Sequence, residues 1–196
     1  MKERIFFIAM NSLKSTKSLA KLGILTAISV VLVYLIHFPI IPAVPFLEYD
    51  PADVPILLGT FALGPVSGLI LTIVASLIQG LTVSSASGWY GIVMHIISTG
   101  CYVLVAGNIY KAHKSKKNAI KALIFGVAAW VIIMIPANLF LTPVYLETIV
   151  GLPAEVAKST VTSLLPWIVL FNLIKSIINS VLTFVLYKRV SGILHK

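Results

Sequence analysis

The sequence predicts an all-α integral membrane protein of six transmembrane helices, with both termini on the cytoplasmic side, on three observations. First, 59% of its 196 residues are hydrophobic and only 11% are charged, with a mean hydropathy of +1.03, beyond what a soluble domain of this length carries. Second, the formal charge of +9 is grouped along the chain. Lys2, Arg4, Lys14, Lys17 and Lys21 stand at the start, Lys111, Lys114, Lys116, Lys117 and Lys121 in one connection, and Lys188, Arg189 and Lys196 at the end. Third, Glu48, Asp50, Asp53, Glu147 and Glu155 fall in the connections between those groups, leaving only Glu3 with the basic clusters. Basic groups mark the cytoplasmic side, and they suit anionic headgroups rather than nucleic acid.

The chain reads as one domain, 1–196, beginning with a cytoplasmic segment at 1–18. Its short apolar piece, Ile5 to Met10, precedes no small-residue cleavage site, so no removable leader is expected. The first span runs from about Leu19 to Phe38, where Pro39 removes a backbone donor. Ala20, Gly23 and Ala27 form a small-residue stripe along it, which brings another helix close, either within this chain or from a different protein. An outer loop over a pocket is expected at 39–53, because Pro39, Pro42, Pro45, Pro51 and Pro55 forbid regular helix. Apolar non-helical backbone at a membrane needs shelter in protein or beside a cavity. Asp50 and Asp53 read as caps of the second helix, whereas Glu48 has no such role and is the acid expected to face a ligand.

The second helix, about Pro51 to Leu63, is too short for the roughly 30 Å hydrocarbon core. Gly64-Pro65 turns into the third, Val66 to about Val83, and Ser84 to Gly88 reads as an outer loop. The fourth helix returns past Trp89 and Tyr90 to Tyr110, carrying His95, which reads more readily as a packing residue than as a ligand. A basic cytoplasmic loop, 111–121, leads to the fifth span, about Ala119 to Leu141. There Pro136 bends the helix, and Asn138 either satisfies that bend or faces the pocket. The longest connection, 142–166, suits an outer loop or gate, and Trp167 opens the last helix.

That last span, about Leu164 to Tyr187, contains Lys175 near its middle, with Asn172 and Asn179 at i−3 and i+4 on the same face and Ser176 beside them. A lysine at that depth costs roughly 2.5–3.5 kcal/mol and turns toward a bundle interior or a wet cavity. It serves there either as a binding group or as a hydrogen-bonding post between helices.

Enzymatic chemistry has no support. There is no GxxxxGK[ST] phosphate loop, no HExxH and no GxSxG, and the single cysteine, Cys101, excludes an internal disulfide and a CxxC site. No metal and no cofactor is expected. Nor do two halves repeat with matched broken helices, as in many independent carriers.

The stretch Pro45-Phe-Leu-Glu-Tyr-Asp-Pro-Ala-Asp-Val-Pro-Ile-Leu-Leu-Gly-Thr-Phe-Ala-Leu-Gly-Pro65 resembles the FL-x-YD-x-x-D-x-P-x-LLG-x-x-x-x-GP signature of the riboflavin-binding S components of bacterial energy-coupling factor (ECF) vitamin transporters. The six-span layout extends the resemblance over essentially the whole chain. It implies a multi-pass protein of the bacterial plasma membrane that binds riboflavin as transported substrate in an outward-facing pocket. Its implied partners are a transmembrane coupling (T) subunit and two cytoplasmic ATPases. The family's Ala-x-x-x-Ala face toward the coupling subunit maps onto Gly23 and Ala27, beside Ala20. Its ligand pocket points to Glu48, Asn138, Asn172 and Lys175, with Leu47, Tyr49, His95 and Asn179 as further pocket residues. The alternatives are an S component for thiamine, biotin or pantothenate, a carrier working without ATPases, and a ligand-free scaffold.

Overall fold

Six α-helices and one short β-ladder make up the computed structural model, which describes residues 15–194. Most of the segment at 1–18 therefore lies outside the described residues, as does Lys196. The helices are α1 (Thr16–Leu35), α2 (Asp53–Leu63), α3 (Pro65–Leu81), α4 (Gly88–Ala112), α5 (Lys116–Thr148) and α6 (Ala154–Leu194). Four of them, α1, α4, α5 and α6, are long and apolar enough to cross a membrane. Their outer faces carry exposed Ile24, Ile28, Phe125, Ile132, Phe140 and Val181, the surface expected of a chain whose solvent is lipid.

The second helix is only 11 residues long, about 16 Å at helical rise, and every residue from Asp53 to Phe61 is buried. Such all-round burial matches a sequence that is apolar apart from Asp53 and Thr60 and has no polar face to offer solvent. It lies against α1, α3, α4 and α6. Gly64, at φ +100°, supplies the left-handed turn into α3, and Pro65 follows at the first helical positions. Close helix approach elsewhere depends on missing side chains: a Cβ at Gly126 of α5 would run into the Tyr102 ring of α4.

Between α1 and α2 the prolines hold the chain out of helix, and Phe38–Pro39 (β1) pairs antiparallel with Glu48–Tyr49 (β2). The tip of this loop folds back onto the last helix, with Ile41 and Val44 packed against Ile168 and Phe171 of α6. Ser29 of α1 donates to the Ala52 carbonyl at 2.8 Å and fixes its far end.

Two connections differ from the sequence reading. The segment 142–166 is mostly helical, because α5 continues to Thr148 through Pro143 and α6 begins at Ala154 and passes through Pro166. Only 149–153 lies outside helix, with Gly151 at φ +80°. Each proline forfeits one backbone bond; Pro143 is buried in the bundle, whereas Pro166 is exposed. Trp167 is accordingly internal to α6 rather than its opening residue. Likewise 111–121 is not one loop: α4 ends at Ala112 and α5 starts at Lys116, where the Ser115 side chain accepts from the Asn118 N–H at 3.2 Å. The stretch after α3 is a short 3₁₀ turn, Ser85–Ser87.

Candidate functional site: a polar cavity between the loop and the last helices

A cavity of about 550 Å³ opens between the loop after α1 and helices α3 to α6, within the roughly 300–1,000 Å³ of small-molecule sites. Lys175 lines it, only 9% exposed, and points its ammonium into the interior rather than toward lipid. Helical spacing brings Asn172 to the same wall, and Asn138 reaches it from α5. Glu48 enters from β2 and Leu47 from the preceding turn, while His95 closes it on the α4 side. Tyr49 and Asn179 do not line this cavity; both are buried behind it, bonded to each other. Apolar and aromatic groups, including Phe46, Met94, Trp130 and Phe171, supply much of the remaining wall. A flat, mostly apolar ligand with a polar edge suits such a lining.

The polar groups are held by specific partners. Lys175 Nζ donates to Asp50 Oδ2 at 2.6 Å, joining α6 to the loop across 125 residues of sequence. Trp130 Nε1 donates to Asn172 Oδ1 at 2.8 Å, and the Asn172 amide donates to the Ile168 carbonyl. These bonds fix which way the carboxamide faces and leave one lone pair and one N–H for a ligand. Asn138 donates to the Met134 carbonyl at 2.8 Å and accepts from Thr142, whose hydroxyl also meets the Tyr90 phenol. Its amide thus does not satisfy the Ile132 carbonyl that Pro136 leaves without a helical donor. Tyr90 and Tyr145 stack at 4.4 Å, tying the start of α4 to the far end of α5.

The cap reading holds for Asp50 and is corrected for Asp53. Asp50 Oδ1 takes the Ala52 N–H at the entry to α2, whereas Asp53 caps nothing, its carboxylate being held by longer-range partners. Asp50 accepts from the Ala52 N–H through Oδ1 and from Lys175 through Oδ2. Asp53 is wholly buried and accepts from His95 Nε2 at 3.0 Å, Thr99 Oγ1 at 2.6 Å and Asn179 Nδ2 at 2.8 Å. Asn179 also donates to the Asp50 carbonyl and accepts from the Tyr49 hydroxyl. Burial, then the Asp50 carboxylate beside it, push the Tyr49 phenol above its ordinary value, so at neutral pH it is a donor. Sequence reasoning assigned Asp53 the wrong role and missed the second role of Asp50, as partner of Lys175. The available signal was a mid-span lysine with no acid within reach on its own helix, whose one acid, Glu155, stands in the first turn.

On α1 the small-residue stripe is open: Ala20, Gly23 and Ala27 are all exposed, and nothing lies within 4 Å of where a Gly23 Cβ would stand.

Comparison with known proteins agrees with this architecture. The family described as "ECF transporter, substrate-specific component" matches residues 17–187. Riboflavin transporter RibU of Staphylococcus aureus (strain TCH60) is 33% identical over 152 residues, covering 77% of this chain and 78% of that protein. Riboflavin transporter FmnP of Bacillus subtilis (strain 168) is 27% identical over 138 residues, covering 69% and 72%. A solved structure reported as "Structure and mechanism of the S component of a bacterial ECF transporter" superposes with a TM-score of 0.75 at 32% identity, covering 92% of this chain and 98% of that one. With a family match spanning nearly every helix, four membrane-length apolar segments and a fold shared at that level, this chain belongs to the ECF transporter substrate-specific component family.

Proposed function

We propose that this chain is the riboflavin-capturing subunit of an ECF importer, with six spans, both termini cytoplasmic and the cavity opening outward. The single observation that carries the reading is the Lys175 ammonium turned onto a cavity it shares with Glu48, Asn138 and Asn172. An isoalloxazine offers carbonyls and an imide along one edge, which lysine and asparagine match, and flat faces for the apolar wall. A ribityl chain offers hydroxyls, from which a carboxylate such as Glu48 accepts. The names of the relatives support the choice of vitamin.

Delivery inward then depends on partners. The exposed stripe Ala20, Gly23 and Ala27 presents close backbone to the helix of a transmembrane coupling subunit, which two cytoplasmic ATPases drive. The lysines flanking α4 and α5 meet anionic headgroups at the cytoplasmic face. The connection at 149–153, with the last turn of α5, acts as the gate.

Purification from cells grown with riboflavin is expected to give a yellow protein whose flavin absorbance persists through gel filtration. Competition with thiamine, biotin and pantothenate is expected to leave that flavin in place. Displacement by one of them, or a colourless protein that quenches no added flavin, overturns the assignment.

A further inference from the structure

Four carboxamides are buried among the described residues: Asn138, Asn172, Asn179 and, on α3, Gln79. The three asparagines have both ends engaged. Asn138 gives to the Met134 carbonyl and takes from Thr142, Asn172 gives to the Ile168 carbonyl and takes from Trp130, and Asn179 gives to Asp53 and takes from Tyr49. Gln79 has a single contact, Nε2 to Ser29 Oγ at 3.4 Å, longer than an ordinary N–H···O bond. A primary amide offers two lone pairs and two N–H groups, so whichever way it is turned, one end of Gln79 has no partner in the protein.

The fold holds that amide against the cavity. α3 turns Leu71, Ala75 and Gln79 inward and Ile73, Val74, Leu77 and Ile78 outward, and at the next position a Cβ on Gly80 would run into Ile92 of α4, which fixes how α3 is seated. Gln79 lines the cavity, and no buried side-chain nitrogen or oxygen among the described residues is left without a bond. Its free end is therefore open to the cavity and not sealed within the protein. An amide placed there with most of its bonds unmade is unfavourable until something entering the cavity completes them.

Its place also says which part of a ligand it meets. The main neighbours of α3 are α1, α2 and α4, so Gln79 enters from a different wall than Asn172 and Lys175 of α6. Ser29, its one partner, bonds the Ala52 carbonyl at the end of the loop that carries Glu48, and Ser84 and Ser87 line the cavity just past the end of α3. We propose that Gln79 is a ligand-binding residue for the hydroxylated chain of the flavin, gripping it together with Glu48 while the α5 and α6 groups take the ring edge. Each hydroxyl of such a chain both gives and takes a hydrogen bond. A primary amide answers both needs, whereas the Glu48 carboxylate only accepts.

The assignment rests on the flavin reading above and adds a contact from α3 to it. Its test compares riboflavin with lumiflavin, the same ring carrying a methyl group in place of the ribityl chain, on purified protein in detergent. Riboflavin is followed by fluorescence quenching and lumiflavin by displacement of riboflavin, so that weak binding still registers. Gln79→Leu is expected to weaken riboflavin roughly tenfold, as loss of one hydrogen bond does, and to leave lumiflavin within about twofold. A role in structure alone moves both ligands together, so equal losses overturn the assignment, as does unchanged riboflavin affinity. Should Gln79→Leu not fold, Gln79→Met, unbranched and of similar length, carries the same comparison. Wild-type protein that binds neither flavin overturns the function proposed above and this assignment with it, whereas flavin binding by the wild type without a selective loss in the variant overturns the assignment alone.

Discussion

An ammonium at mid-membrane costs about 2.5–3.5 kcal/mol on insertion scales, and Lys175 offsets that cost with a carboxylate 125 residues away. Removing one partner of such a pair leaves the other buried and uncompensated. Lys175→Met is therefore expected to lower stability by roughly 3 kcal/mol, the low end for buried pairs because both side chains keep slight exposure. Adding Asp50→Asn is expected to restore much of that stability, followed by thermal denaturation in detergent, while flavin binding stays lost. Recovery of binding together with stability would show that Lys175 contributes only to packing. Asn138→Ala removes a group already anchored at Met134 and Thr142, so it is expected to weaken flavin binding roughly tenfold with the fold intact, as fluorescence titration can establish. The polar face of α6 was legible in sequence because Asn172, Lys175 and Asn179 interrupt an apolar run at helical spacing. Their partners were not. Asp50-Pro-Ala-Asp53 ahead of a helix reads as a cap from local rules alone, and only tertiary packing carries α6 and α4 to those carboxylates.

Among the elements, the existence of each helix followed from apolar periodicity, whereas the ends of α5 and α6 did not. The connection expected at 142–166 is mostly helix, with Pro143 inside α5 and Pro166 inside α6, each removing one backbone bond. In the folded bundle α5 runs on through Pro143, which is buried, and α6 starts ahead of Pro166, which is exposed, so both helices outrun the sequence estimate. The loop after α1 was legible as non-helical from its prolines, but its seat on Ile168 and Phe171 depends on contacts between distant residues. Interhelical spacing is tested at Gly126, where a side chain would meet the buried Tyr102 ring. Gly126→Val is expected to cost about 1–3 kcal/mol in thermal stability through overpacking, and a variant as stable as wild type would show that α4 and α5 can separate freely.

For the whole molecule, capture and delivery are expected to be separable by mutation. Gly23→Leu adds bulk to the open stripe on α1, where a Cβ meets nothing within 4 Å, so flavin affinity should stay within about twofold while uptake in cells holding the full transporter falls about tenfold or more. Equal loss of both would remove the stripe from the interface. One further consequence comes from the short helix enclosed on every side. The walls around α2 include α4 and α6, which leave the ribosome after it, and its Asp53 lacks its hydrogen-bond donors until His95, Thr99 and Asn179 are made. At about 16 Å it is too short to settle across a bilayer by itself. Biogenesis must therefore hold the α2–α3 hairpin in an unfinished, chaperoned state until the C-terminal helix arrives, and nascent chains halted before that point should be prey for membrane proteases.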